Sequence, residues 1–478
     1  MPAIRTRFAP SPSGYLHIGG ARTALFNYLL ARNLGGVLVL RIEDTDRERS
    51  TEESIAAILD SLHWLGLEWD EGPFYQSERA DVYAPYVDKL LASGHAYRCT
   101  CTPAQVEEMR AKAQAAGRRP GYDGTCRDRS GIDPQQPHVV RFRTPDSGET
   151  GVDDLIRGPV LFDNTEIDDL IIRRSDGTPT YNFVVVVDDV EMGITHVVRG
   201  EDHLSNTPKQ IMMYRALGLP VPAFAHVPLI LGPDGSRLSK RHGATSVTAY
   251  RDMGYLPDAV NNYLARLGWS HGDQEIFSRA ELIEHFSLDH VGSSAGVFNP
   301  EKLEWVNFQH LKSLPTTTLA AAVKPVIEAR GWQIPGDDAW LAAMVATLQE
   351  RAKTLVELVD AAYYYLQDDL AVDEAAVDKH LRTASSDVLS DLRTALADLA
   401  TWDHDSIHGA FDGVLAKHQL KLGKLAQPVR VALTGGTVSP GIFELAAVLG
   451  RDRVLRRLDQ AIELVREGVG GQGSGVRE

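Results

Sequence analysis

The beginning of the chain alternates between short apolar runs and helical segments, and this order constrains the fold more than any other feature. Residues 4–8 form an extended run, residues 21–32 show helical spacing, and residues 37–40 (VLVL) are continuously apolar. Ser50 and Glu53 are spaced as a capping box for a second helix. A strand–helix–strand–helix beginning predicts a doubly wound, mostly parallel sheet with helices on its faces.

The remainder of the chain divides into an interrupted strand pattern and a long helical part. Strand-like runs return at residues 181–187 (YNFVVVV), 196–199 and 226–231, after a mixed stretch that carries the cysteines and many prolines. Helical periodicity dominates later, as at residues 341–366 and 386–399. We therefore predict two halves of a Rossmann-type domain (1–73 and 173–245), an inserted α+β subdomain (74–172), a helical domain (246–320) and an all-helical region (321–478) with a disordered tail (468–478).

Composition places the protein in a broad class. A chain of 478 residues is too long for one ordinary domain, and 43% hydrophobic with 24% charged residues is normal for a globular protein. The first residues lack a signal peptide, and no stretch approaches the roughly 20 apolar residues that a membrane helix needs. With only three cysteines, the chain is expected in the reducing cytoplasm. A monomer without an obligate protein partner is the default expectation, since nothing in the sequence indicates an oligomer.

The net charge of −16 argues against nucleic-acid binding, because phosphate contacts usually require a basic surface. Basic residues gathered on one face would still permit it. Any interaction with RNA must therefore be inferred from motifs.

The first motif, residues 10–20 (PSPSGYLHIGG), lies between a predicted strand and the start of a helix. Small residues allow close approach of a ligand, and free N–H groups at a helix N-terminus favour phosphate. His17 is placed to hydrogen-bond a phosphate oxygen as charge develops on it. The alternative is a tight turn with a surface histidine.

The second motif, residues 235–243 (GSRLSKRHG), follows the last predicted strand of the sheet. A mobile glycine-containing loop can bring the charge of Lys240 onto a polyphosphate during reaction. Alone, the segment is equally well a solvated basic loop.

Together the two motifs resemble the signatures of class I aminoacyl-tRNA synthetases. The second departs from the usual pattern at Arg237 and Arg241, where a lysine and a serine are usual, and both replacements keep or add positive charge. Residues 41–46 (RIEDTD), 7–12 and 195–203 resemble the glutamyl/glutaminyl subgroup, and its bacterial glutamyl type in particular. The resemblance runs from residue 5 to about 310 and continues more weakly through the helical part.

The resemblance implies a glutamate site on the first sheet. A glutamate side chain needs a guanidinium partner, and its ammonium group needs a carboxylate. For any single charged residue among them, the alternative is a surface ion pair without function. The residues that the resemblance assigns to glutamate are Arg7, Ala9, Ser11, Glu43, Tyr181 and Arg199.

The resemblance also implies an ATP site and two catalytic groups, His17 and Lys240. Magnesium is expected to accompany ATP by bridging its phosphates. The residues expected at the ATP site are His17, Gly19, Gly20, Glu201, Asp202 and Lys240.

Cys99, Cys101 and Cys126 predict a metal site in the insertion, because thiolates at this spacing can hold a tetrahedral zinc. Some family members carry a structural zinc here. The fourth ligand stays open between Asp128, where relatives have histidine, and Tyr122. The alternative is a metal-free remnant of such a site.

The implied function is ATP-dependent ligation of L-glutamate to the 3′ end of tRNA(Glu) through a glutamyl-adenylate, with the insertion on the acceptor end and the C-terminal helices on the anticodon. Two alternatives are a tRNA-binding paralogue without ligase activity, expected to have lost His17 or Lys240, and a nucleotidylyltransferase, expected to be much shorter. Whether tRNA(Gln) is also charged stays open.

Overall fold

The computed structural model describes residues 3–46, 50–129, 131–238 and 246–470. The chain forms two compact units, residues 1–252 with 257–306, and residues 253–256 with 307–478. Among the described residues, no helix is long and apolar enough to cross a membrane.

Parallel strands form the centre of the first unit. One sheet has the order β1-β2-β3, and another the order β7-β6-β10-β9, in which β6 and β7 pair antiparallel and the other pairs are parallel. Arg5 in β1 accepts a hydrogen bond from Thr195 N at 3.0 Å, so the edge of β1 meets the start of β9. These strands are β1 (Arg5–Phe8), β2 (Val37–Ile42), β3 (Glu71–Tyr75), β6 (Glu149–Asp154), β7 (Gly158–Asp163), β9 (His196–Gly200) and β10 (Ala223–Val227).

Two smaller sheets complete the strands of this unit. An antiparallel sheet has the order β4-β5-β8, and a short parallel pair joins β11 to β12. Their bounds are β4 (Ala96–Cys99), β5 (Val139–Phe142), β8 (Ile171–Arg173), β11 (Ile230–Leu231) and β12 (Gly296–Val297).

Helix α1 is buried on almost every side because it packs between the sheet and other helices. Leu25, Phe26 and Leu29 are at most 1% exposed, and burying each such side chain contributes about 1.5–3 kcal/mol. The helices of this unit are α1 (Ile18–Asn33), α2 (Glu52–Leu65), α3 (Ala80–Ala92), α4 (Pro103–Ala115), α5 (Tyr181–Glu191), α6 (Thr207–Leu217), α7 (Thr248–Asp252), α8 (Pro257–Arg266) and α9 (Arg279–His285).

The second unit is helical throughout its described residues. Leu392, Phe411, Leu433 and Leu445 are fully buried and belong to its apolar interior. Helix α10 (Pro300–Ser313) leads into it, followed by α11 (Thr316–Ala329), α12 (Asp338–Leu348), α13 (Leu355–Ala361), α14 (Tyr363–Leu366), α15 (Glu374–Ala376), α16 (Ser386–Ala397), α17 (His404–His418), α18 (Leu422–Thr434), α19 (Ile442–Leu449) and α20 (Arg451–Gly470).

The strand predicted at residues 181–187 is wrong, because this segment is the first part of helix α5. Its four consecutive valines are at most 1% exposed. A continuously apolar run does not reveal its period, and β-branched side chains favoured the strand interpretation. Here burial on all sides outweighs that preference.

Other boundaries also differ from the sequence predictions. Helix α2 is capped by Thr51, whose hydroxyl accepts from Ser54 N at 3.1 Å, so the capping box of Ser50 and Glu53 is wrong. The strand predicted at 226–231 is interrupted between β10 and β11, and the helix predicted at 341–366 is three helices. Helix α20 extends to Gly470, into the predicted tail, and residues 471–478 lie outside the described part of the chain.

Candidate active site

The carboxyl ends of β1 and β2 bring the first predicted residues together. Glu43, just after β2, donates its backbone N–H to the carbonyl of Pro10 at 3.0 Å. Ala9 is half-buried and Ser11 is exposed on the same loop. Adjacent parallel strands end on one edge of the sheet, which is where ligands bind in open α/β folds.

His17 is the N-cap of helix α1, and its Nδ1 accepts a hydrogen bond from Gly20 N at 3.1 Å. A Cβ on Gly20 would lie 2.9 Å from Leu16 Cδ1, and one on Gly19 would lie 3.2 Å from the His17 ring. The two glycines therefore let the imidazole fold over the helix start. Removal of solvent around the ring, and then the nearby Arg237 guanidinium, lower the pKa of His17.

Four buried charged side chains form a network beneath this loop. Arg41 Nη1 lies 2.7 Å from Asp189 Oδ1, and Arg41 Nη2 lies 3.4 Å from Glu43 Oε1. Arg7 Nε lies 3.3 Å from the same Asp189 oxygen. Burial raises the pKa of Glu43, and Arg41 and Arg7 oppose that effect. The network thus holds the carboxylate of Glu43 beside Arg41 and near Arg7, with Asp189 as a second carboxylate.

Arg199 is 5% exposed, on strand β9. Its Nε donates to His226 Nε2 at 3.2 Å, and its Nη2 donates to Thr207 Oγ1 at 2.9 Å and Gln210 Oε1 at 3.0 Å. Its Nη1 has no hydrogen-bond partner among the residues that the structure describes. Burial lowers the pKa of Arg199. A guanidinium held by neutral groups, with one nitrogen open, is suited to a carboxylate ligand.

Tyr181 begins helix α5, and its hydroxyl lies 2.9 Å from His203 Nδ1. Burial and then the charge of Glu43 raise the pKa of Tyr181 to about 12. Burial and then Arg199 lower the pKa of His203 to about 4, so the imidazole is neutral at pH 7. The charges of Arg7, Glu43 and Arg199 each affect the pKa of Tyr181, so these four predicted residues lie near one another.

Glu201 and Asp202 follow β9, and protein groups already contact both carboxylates. Glu201 Oε1 accepts from Leu229 N at 2.7 Å, and its other oxygen contacts Arg157. Asp202 Oδ2 lies 2.9 Å from Arg237 Nη2. The predicted catalytic residue Lys240 lies outside the described residues.

The thiols of Cys99, Cys101 and Cys126 converge in the insertion, with all three sulfurs within 4.8 Å of one another. Cys99 Sγ lies 3.5 Å from the Tyr122 hydroxyl, which also accepts from Cys126 N at 2.8 Å. The Asp128 side chain is 87% exposed and pairs with Arg143 at 3.0 Å. Three thiols with a phenol oxygen beside them are therefore the donor set that the fold assembles.

Several residues of the site were not identified from the sequence. Arg41 lies in β2, two positions before Glu43, and this spacing could have indicated their pairing. Asp189, which contacts both Arg7 and Arg41, was likewise not predicted. Asp154 and His226 lie 72 positions apart, and no local pattern relates them.

Comparisons with known proteins agree with this architecture. Residues 3–305 match the family model for the catalytic domain of class I tRNA synthetases (E and Q), and residues 318–462 match an anticodon binding domain. These matches describe a class I tRNA synthetase with a separate anticodon-binding part. The chain belongs to the E and Q family of that class, the glutamyl- and glutaminyl-tRNA synthetases.

Relatives resemble the chain over nearly its full length. It is 56% identical to a glutamate–tRNA ligase of Geobacter sulfurreducens, covering 98% of this chain and 100% of that protein. A glutamate–tRNA ligase of Geotalea uraniireducens is 57% identical, with the same coverage. A crystal structure of a glutamate tRNA ligase from Elizabethkingia meningosepticum, in complex with its amino acid, is similar with a TM-score of 0.85 and 31% identity, covering 97% of this chain and 99% of that one.

Proposed function

We propose that this protein is a glutamate–tRNA ligase, which joins L-glutamate to the 3′ end of tRNA(Glu) with ATP. The observation that carries the proposal is the open Nη1 of buried Arg199, in a site where the Glu43 carboxylate exerts an electrostatic influence on it. Glutamate carries a side-chain carboxylate and an ammonium group, and these two protein groups complement both. Relatives at 56% and 57% identity bear the same function in their names.

The reaction proceeds in two steps. An oxygen of the glutamate α-carboxylate attacks the α-phosphorus of ATP, and the bond to pyrophosphate breaks. A ribose hydroxyl at the tRNA 3′ end then attacks the acyl carbon of glutamyl-adenylate, loses its proton and releases AMP. Neither step needs a covalent bond to the enzyme, so the protein contributes position and charge.

The chain's own residues divide this work. Arg199, with Arg7 nearby, orients the side-chain carboxylate of glutamate, while Glu43 holds its ammonium group. Tyr181 covers the substrate, and Ala9 and Ser11 contact it from the loop after β1. These assignments come from the family motifs, and the convergence of the buried residues supports them.

The start of α1 and the sequence motif with Lys240 serve ATP. His17, Gly19 and Gly20 present a helix N-terminus to phosphate, and Lys240 adds a positive charge as the transition state forms. Glu201 and Asp202 lie toward the nucleoside. Magnesium, as in class I synthetases generally, supplies charge neutralisation of the phosphates when bound with ATP.

A structural zinc in the insertion is part of the proposal. Cys99, Cys101 and Cys126 would hold it, with Tyr122 as the fourth ligand, because its oxygen lies among the thiols while Asp128 is turned to solvent and Arg143. Such a closed donor set stabilises local structure and does not take part in chemistry.

The domains have matching proposed roles. The halves 1–73 and 173–245 catalyse, the insertion 74–172 binds the acceptor end, residues 246–320 contact the tRNA stem, and 321–478 read the anticodon. The anticodon-domain match at 318–462 supports the last of these. Because tRNA, ATP and glutamate meet in the cytoplasm, we propose that location.

The fate of labelled ATP separates this function from its alternatives. With ATP labelled at the α-phosphate, a ligase releases AMP only when glutamate and tRNA are both present. A nucleotidylyltransferase transfers the label to its substrate without releasing AMP, and an inactive paralogue does neither. Replacing glutamate with glutamine or aspartate should abolish AMP release. Glutamine has no side-chain carboxylate, and the carboxylate of aspartate is one methylene group too short to reach Arg199.

A further inference from the structure

The orientation of Arg199 depends on a buried chain of contacts that begins in the insertion. Arg199 touches no carboxylate within hydrogen-bond distance among the described residues, and neutral oxygen and nitrogen atoms hold it instead. Its Nε–H needs an acceptor, which is Nε2 of His226 at 3.2 Å. Together with the Nη2 contacts to Thr207 and Gln210, the protonation state of this imidazole therefore fixes the direction of the open Nη1.

Asp154 determines which ring nitrogen of His226 carries the proton. His226 is completely buried, and its Nδ1 lies 2.6 Å from Asp154 Oδ2. Because a carboxylate only accepts, Nδ1 carries the proton and donates it, and Nε2 keeps its lone pair for Arg199 and for the Thr207 hydroxyl at 3.0 Å. Burial lowers the pKa of His226 although Asp154 opposes this, in agreement with a ring whose Nε2 accepts from Arg199.

Asp154 is itself rigidly placed. It is 4% exposed at the end of β6, where it pairs in register with Phe224 of β10. Its carboxylate accepts from the backbone N–H of His226 at 3.0 Å, and from those of Ile156 and Arg157 at 3.0 and 2.9 Å. The hairpin of β6 and β7 thus holds the Asp154 carboxylate in a fixed position, where it accepts from His226 behind the proposed glutamate site.

We propose that Asp154 is a positioning residue for amino-acid recognition, which acts through the tautomer of His226 to aim Arg199 at the substrate side-chain carboxylate. This inference rests on the proposed function. It assigns to the insertion a part in selecting the amino acid, in addition to its contact with tRNA.

The substitution Asp154→Asn tests the mechanism because it preserves size while adding a donor. The new amide can donate to His226 Nδ1, and the ring proton then moves to Nε2. The Nε2–H of His226 and the Nε–H of Arg199 would then face each other as two donors without an acceptor. The KM for glutamate should rise about tenfold, a cost of about 1.4 kcal/mol, while the KM values for ATP and tRNA stay unchanged. Asp163→Asn, at the exposed end of the same hairpin, is the matched control and should leave all three values unchanged.

A double-mutant cycle separates positioning from a purely structural role. In His226→Gln, the amide oxygen can accept from Arg199 without help from Asp154. Adding Asp154→Asn to that background should therefore change the glutamate KM by less than about twofold. An equal rise of this KM in both backgrounds, or a parallel rise of the ATP KM, would overturn the proposal.

Two variants at position 226 keep the test valid if Asp154→Asn does not fold. His226→Asn retains a donor toward Asp154 but is too short to reach Arg199, so its glutamate KM should exceed that of His226→Gln. Equal values would overturn the proposal. Absence of glutamate charging by the unaltered enzyme would instead contradict the proposed function, and the inference with it.

Discussion

Arg41 Nη1 lies 2.7 Å from Asp189 Oδ1, and both side chains are almost completely removed from solvent, at 0% and 2% exposed. The same oxygen faces Arg7 Nε at 3.3 Å. Burial works to raise the pKa of Asp189, but Arg7 and Arg41 outweigh it, and the pKa lies below its ordinary value. Asp189 therefore lies between two buried guanidinium groups, and Arg41 also faces Glu43 at 3.4 Å and Asp188 at 3.8 Å.

Removing that carboxylate should destabilise the protein strongly. Asp189→Asn leaves buried Arg7 without its carboxylate partner, and we expect the free energy of unfolding to fall by about 3–5 kcal/mol in urea denaturation. Asp60→Asn is the control, because Asp60 pairs with Arg251 at the surface, where such pairs contribute about 0–1 kcal/mol. Similar losses for the two variants would show that the buried network is not needed for stability.

Arg199→Gln should impair glutamate recognition without impairing ATP binding. Loss of a buried charged partner of a carboxylate costs about 3 kcal/mol, so kcat/KM for glutamate should fall about 100-fold. Steady-state charging assays measure this, with Arg215→Gln as control, because Arg215 is exposed on α6. An unchanged glutamate KM in Arg199→Gln would remove this residue from the site.

The zinc proposal predicts different outcomes for two candidate oxygen ligands. Tyr122→Phe should weaken zinc binding about 10–100-fold, the scale seen when a supporting group of a metal site is removed. Asp128→Ala should retain the metal, because that carboxylate faces solvent. Mass spectrometry measures the zinc content of both variants after dialysis against a chelator. Zinc loss from Asp128→Ala with retention in Tyr122→Phe would identify Asp128 as the ligand instead.

Acid should destabilise the fold before its carboxylates protonate. The pKa of His203 is about 4 in the folded chain, against an ordinary value of 6.5, so between these values the unfolded chain binds more protons and stability falls as pH falls. The pKa values of His17 and His226 are lowered in the same direction. The free energy of unfolding should be lower at pH 5 than at pH 7, and His203→Asn should reduce this difference. An unchanged difference in that variant would show that His203 does not cause the loss of stability.

Elements with clear periodicity were predictable from the sequence. Helix α1 and strands β1, β2 and β9 lie close to their predicted positions, because helical spacing or a short bounded apolar run defines each of them. The fold class follows from their order. Helix α5 was not predictable in this way, since its run of valines fits a buried strand or a buried helix equally well.

The active site shows a similar division. Arg7, Glu43 and Arg199 were identified because family motifs mark them, and the structure brings them around one site. The contacts from Asp154 through His226 arise only when distant strands align, so no local spacing reveals them. The roles of the motif residues remain predictions for the experiments above.

The most direct test of the central claim is charging of purified bacterial tRNA with radiolabelled glutamate and ATP, beside labelled glutamine and a Lys240→Ala variant. A ligase should give acid-precipitable label with glutamate alone. The variant should lose about 10²–10³-fold in rate, because one charge that stabilises the transition state is gone. Absence of label from the unaltered protein with intact tRNA would contradict the account and favour a paralogue that binds tRNA without charging it.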